Sequence, residues 1–115
     1  MSTRGFAADE IAHVVHEAIR ATQYALGESR APTWEELTAD AKASRVRAVQ
    51  AAAEGASPES MHEQWMAARI DEGWTFAARR DTTLKTTPYL VPYVELSELQ
   101  RRKDRLVVAI TNALL

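Results

Sequence analysis

Between about Ala7 and Leu26 apolar residues fall at positions 11, 14, 15, 18, 25 and 26, with Thr22 on the same line. This three-and-four spacing lines one side of a helix. On that reading His13, His16, Glu17, Arg20 and Tyr24 share the opposite, polar side. Gly27 is the expected stop, because glycine tolerates the left-handed conformation at a helix end. Glu28–Pro32 reads as a loop. Thr33-Trp34-Glu35-Glu36 has the form of a capping box directly after a proline, which predicts a short helical turn carrying Trp34 and Leu37 inward. A longer helix then reaches about Ala53, with Val46, Val49 and Ala53 as its apolar line and Gly55 as its stop. Ser57-Pro58 opens the next helix, with Ser as the cap and Pro at the first helical position, where no amide donor is missed. That helix is expected to reach Glu72 and end at Gly73.

The pattern changes at Trp74. Residues 74–93 are rich in Thr and aromatics and contain Pro88 and Pro92, so they read as extended or looped. A short strand pair is expected near Trp74–Ala77 and Tyr89–Val91, held short or at an edge by Pro92. Ser97-Glu98-Leu99-Gln100 is a second capping box, opening a last helix with no charged residue after Arg105. Its end is therefore expected to pack into the core or against a partner. The expected fold is mainly α: a compact bundle of about four to five helices with a small non-helical or short β-hairpin lobe over about 74–93. It reads as a single domain over 1–115, with 1–6 frayed.

Composition narrows the function classes. A domain of 115 residues buries roughly 65% of its unfolded surface, and alanine supplies much of the 46% hydrophobic share. The core should therefore be small-residue helix packing with a few aromatic anchors. A net charge of −2 argues against a general polyanion binder. Nucleic-acid binding through Arg101, Arg102, Lys103 and Arg105 is the least favoured reading. With no cysteine, disulfides, thiolate catalysis and Cys-based metal sites are excluded. No run approaches the ~20 apolar residues of a membrane span and no leader pattern is present, so no membrane association and a cytoplasmic setting are expected.

Catalysis finds little support, although a pocket with carboxylates could do general acid–base work. There is no Gly-rich phosphate loop and no nucleophile elbow. Glu17 and Glu63 each follow a His, but helix neighbours point ~100° apart and do not form an acid–base pair. His13 and His16 lack the four-residue spacing of a zinc-binding helix pair. No catalytic residue, metal or cofactor is expected, and the chain reads as a non-enzyme.

His62, Trp65 and Arg69 carry the sharpest binding chemistry. Spacings of three and four place them on one helix face. An indole between an imidazole and a guanidinium suits a planar anion, with the ring stacking a base and Arg forking onto phosphate oxygens. The plainer alternative makes Trp65 a core anchor with His62 and Arg69 beside it at the surface. Trp74, just past the Gly73 stop, can return toward Trp65 as a second stacking face, or act as a packing lid. Phe76 reads as core of the non-helical lobe. Lys85 is a loop cation, either solvated or a phosphate contact. His16 and Arg20, one turn apart, are further candidate contacts. The run HEAIR at 16–20 resembles the opening of HEQWMAAR at 62–69, a hint of quasi-repeated halves.

The order His62-Glu63-x-Trp65, Gly73-Trp74-x-Phe76, Lys85-Thr86-x-Pro88 and Pro92-Tyr93-x-x-Leu96 resembles the ryanodine-receptor repeat domain over a motif core at 61–105. That domain occurs in the large calcium-release channels and as short free-standing bacterial and phage proteins. Upstream, His16-Glu17 and Pro32-Thr33-Trp34 are similar to the free-standing members. The resemblance implies a mainly helical fold with a small non-helical lobe. It also implies adenine-nucleotide binding, as linked to the channel repeats, or a nucleotide sensor associated with defence systems. The implied ligand residues are His62, Trp65 and Arg69, then Trp74 and Lys85. Three positions depart from the family pattern: Ala77 stands for a common Gly, Thr87 for the usual His before Pro, and Ser97 for the usual Pro. The expected partner is thus a nucleotide or related small molecule. The alternative is a protein–protein interaction module, homodimeric or bound to an effector protein.

Overall fold

The computed structural model describes residues 5–115, and among them four α-helices, two short 3-10 turns and one two-stranded sheet. The helices are α1 (Ala8–Ala25), α2 (Ala39–Ala53), α3 (Pro58–Asp71) and α4 (Glu98–Leu114); the strands are β1 (Thr75–Phe76) and β2 (Thr86–Thr87). The 3-10 turns, Trp34–Glu36 and Tyr93–Glu95, directly precede α2 and α4. The fold is thus mainly α with a small lobe, as the pattern predicts. The chain divides into two compact units, Met1–Ala56 with Arg105–Leu115 and Ser57–Asp104.

In the first unit α1 packs on α2, and the buried residues are Ile11, Ala12, Val15, Ile19, Val49, Ala52 and Val107, joined by His16, Gln23 and Thr111. The buried side of α1 lies a step round from the expected one. Val14 is exposed, whereas His16, assigned to the polar side, is 2% exposed. The physical reason is that His16 and Gln23 find backbone partners in the loop after α1, which removes the cost of burying them. On α2 the inward alanine is Ala52, not Ala53. Of the expected frayed start, residues 1–4 lie outside the described residues. Phe6 is tied down, its amide donating to the Leu114 carbonyl at 3.0 Å. Gly5 lies so close that a Cβ there would come within 2.5 Å of the Leu115 backbone.

In the second unit Ser57 caps α3 by accepting from the Ser60 amide at 3.1 Å, with Pro58 in the first turn. Gly73, at φ +92°, ends that helix. The expected β-hairpin is replaced by a parallel pair, Thr75 opposite Thr86 and Phe76 opposite Thr87. The reversal occurs earlier than expected: Asp81 Oδ1 accepts from the amides of Thr83 and Leu84, and Asp81 bridges Thr86 antiparallel. An Asp side chain that mimics a backbone turn in this way sets the chain direction locally. Tyr89–Val91 is therefore not a strand. Phe76, expected in the core, is 59% exposed; Met61 and Leu96 are the buried apolar residues here, with His62 and Thr87.

Candidate functional site

His62 lies in the first turns of α3 and is buried, and its Nε2 lies 2.7 Å from the Val91 carbonyl oxygen. A carbonyl only accepts, so the ring carries its proton on Nε2 and donates it. Held this way, the imidazole stacks on Trp65 (centroids 5.6 Å apart, planes 21° apart) and is tilted against Tyr93 at 6.3 Å. Trp65 is half-buried. One turn on, the Arg69 Nη2 donates to Glu72 Oε1 at 3.1 Å, while its Nε is buried without a hydrogen-bond partner among the described residues.

Lys85 reaches the same end of α3. Its Nζ donates to the Glu72 carbonyl at 2.8 Å, a favourable place for a cation because helix C-terminal carbonyls are left unpaired. It is also the non-glycine residue with a left-handed backbone among those described, at φ +55°. Trp74 is half-buried and its amide donates to the Arg69 carbonyl at 2.9 Å. Among the described residues it makes no ring contact with Trp65, so the two indoles do not form the anticipated clamp. The second unit thus brings together His62 with Trp65, and Arg69 with Lys85 and the Trp74 backbone around Glu72.

His16 and Arg20 belong to the first unit, in a network of their own. His16 Nε2 donates to the Pro32 carbonyl at 2.7 Å. Glu17 accepts from Arg20 Nη1 at 2.6 Å and from the Trp34 amide at 3.1 Å. Arg20 Nε donates to the Ala31 carbonyl at 2.9 Å, and Gln23 Oε1 accepts from the Ala31 amide at 2.8 Å. The Trp34 amide first, and then Arg20, hold the Glu17 carboxyl below its ordinary pKa. Trp34 itself is stacked by His13 (5.4 Å, 11°), with the Lys42 ammonium 5.7 Å from its ring centroid.

The two units repeat one device. In each, a helical histidine donates to the carbonyl two residues before the aromatic of a 3-10 turn: Pro32 before Trp34, Val91 before Tyr93. The rings tilt alike, 59° for His16 on Trp34 and 60° for His62 on Tyr93. Thr38 and Ser97, four residues after each aromatic, cap the following helix. The HEAIR and HEQWMAAR runs were half of the signal. The other half, Trp34-x-Glu36-Leu37-Thr38 against Tyr93-x-Glu95-Leu96-Ser97, was equally present in the sequence. It identifies Tyr93 as the counterpart of Trp34.

The second unit offers a fixed indole and a guanidinium with an unused buried donor, and among the described residues no group of three or more His, Asp or Glu is placed to hold a metal ion. Residues 38–112 match the family model described as RyR domain, a span that takes in the whole second unit and leaves α1, with His16 and Arg20, outside. The chain belongs to the RyR domain family.

Proposed function

We propose that the chain is a non-enzymatic small-ligand-binding or sensor domain of a bacterial or phage protein. It works in the cytoplasm and recognises a purine nucleotide or nucleotide derivative. The observation that carries this reading is the His62–Trp65 stack, fixed by the bond to Val91, with half-buried Arg69 one turn along the same helix. A ring already held in place loses little freedom when a base stacks on it, and such stacking contributes ~1–3 kcal/mol per base. Arg69 can exchange the Glu72 carboxylate for a phosphate, which suits the same fork. His62 serves as a positioning residue, since its Nε2 proton is committed to Val91 and its ring is buried. Phosphate contact falls to Arg69 and then Lys85.

A second reading, a protein–protein interaction module, is favoured by the exposure of Ile70, Phe76, Leu84 and Val94 in the second unit. The two are separated by a thermal-shift screen with ATP, ADP, ADP-ribose, NAD and cyclic dinucleotides on the native chain and Trp65→Ala. A ligand at 100 times its dissociation constant stabilises the folded state by ~2.7 kcal/mol, or several degrees for a domain of this size. A shift with one ligand, absent in folded Trp65→Ala, is the expected result. An undiminished shift in that variant sinks the stacking site. No shift across the panel favours the interaction module, which mass measurement at several concentrations then checks.

A further inference from the structure

We propose that the groove of the first unit lined by Glu17, Arg20, Ala21, Tyr24 and Arg30 binds a small oxyanion of the phosphate class. This goes beyond the reading above and does not depend on Trp65. Three observations converge on it. The groove has a volume of about 270 Å³. That lies just below the ~300–1,000 Å³ typical of ligand pockets, which fits a phosphate or a phosphorylated fragment better than a whole dinucleotide.

Arg20 is already fixed in place. Its side chain is only 19% exposed, with Nε tied to the Ala31 carbonyl and Nη1 to Glu17. Nη2 has no hydrogen-bond partner among the described residues, so a rigid donor is left for a ligand without the ordering cost a free arginine would pay. The exposed Arg30 guanidinium, which lines the same groove, lies 5.0 Å from the centroid of the Tyr24 ring, which holds a second cation there. Arg20's tie to the loop fixes Arg20 itself. With the Gln23 bond to the Ala31 amide, that tie also brings Arg30 beside Tyr24, so both cations are held at one groove.

Glu17 does not veto an anion. Both of its oxygens are engaged, one by Arg20 and the other by the Trp34 amide, so its charge is matched and Arg30 remains in excess. A guanidinium fork on Arg30 with the Nη2 donor of Arg20 selects a tetrahedral oxyanion over chloride, because the donors can reach separate oxygens of one ligand.

The test is a titration of the isotopically labelled full chain with inorganic phosphate, followed by amide and arginine Nε–H NMR shifts. Sodium chloride at matched ionic strength is the control. Expected are saturating shifts confined to residues about 20–31, with affinity about tenfold weaker in Arg30→Gln, the loss of one charge-assisted contact. Arg30 is exposed and bonds to no buried group, so that variant keeps the fold. The same titration on Trp65→Ala should be unchanged, whatever becomes of its nucleotide response. Equal phosphate affinity in Arg30→Gln, shifts reproduced by chloride, or loss of the phosphate shifts in folded Trp65→Ala would each overturn the proposal.

Discussion

Thr111 is wholly buried in the first unit, and its hydroxyl has no hydrogen-bond partner among the described residues. A buried donor left unsatisfied costs about 1–3 kcal/mol, whereas an apolar group of the same shape costs nothing there. Thr111→Val is therefore expected to raise stability by about 1 kcal/mol, read as a higher urea midpoint at unchanged slope. His16 makes an instructive contrast. Its Nδ1 is equally unpartnered, but its Nε2 secures the Pro32 carbonyl, so its removal costs a bond as well as a packed ring. At this scale the side-chain environments are the part that sequence pattern reads least well. Helical spacing counts side chains only as polar or apolar, so it puts His16 on the polar face. It cannot foresee a carbonyl sixteen residues away. Aromatic character favours an inside place for Phe76, yet the ring is 59% exposed on its strand.

Among the elements, the helix ends were the most legible part. Gly27, Gly55 and Gly73 all adopt positive φ where a stop was read. Ser57 and Ser97 accept the amides that a capping serine should. The Thr33 box appears with its hydroxyl turned round, donating to Glu36 instead of accepting from the turn. Such signals are local and need no knowledge of the rest of the fold. Gly73 gives the cleanest measurement, because a Cβ there would meet nothing within 4 Å and only its φ of +92° resists substitution. Gly73→Ala is expected to destabilise by about 1–2 kcal/mol, the cost of a left-handed L-residue, and calorimetry should show it as a fall in Tm. The strands were not legible. Two-residue strands carry almost no periodicity, and their parallel register is set by the Asp81 turn and the tie from Lys85 to Glu72.

For the molecule as a whole, charge enters through pH. Glu17 and Glu36 titrate below the ordinary carboxylate value of 4.5, Glu17 through the Trp34 amide and Arg20, Glu36 through the Thr33 amide and hydroxyl. Depressed folded values mean that their contribution is fully present above the unfolded pKa and is lost as pH falls through the folded ones. The urea midpoint should hold steady down to about pH 5 and then drop, with a shallower acid limb in Glu17→Gln. Equal limbs in the two proteins would contradict that linkage. The family was legible in the ordered motifs of the second unit because those residues are close in sequence. The paired histidine networks needed contacts across 16 and 29 positions and became plain only in three dimensions.

The first unit is discontinuous: Arg105–Leu115 belongs with Met1–Ala56, and the Phe6 amide meets the Leu114 carbonyl. During synthesis the segment Ser57–Asp104 can settle as soon as it emerges. The earlier helices α1 and α2 must wait for Val107 and Thr111 to fill their core. The part of this chain that is made first thus needs the part made last to complete its unit.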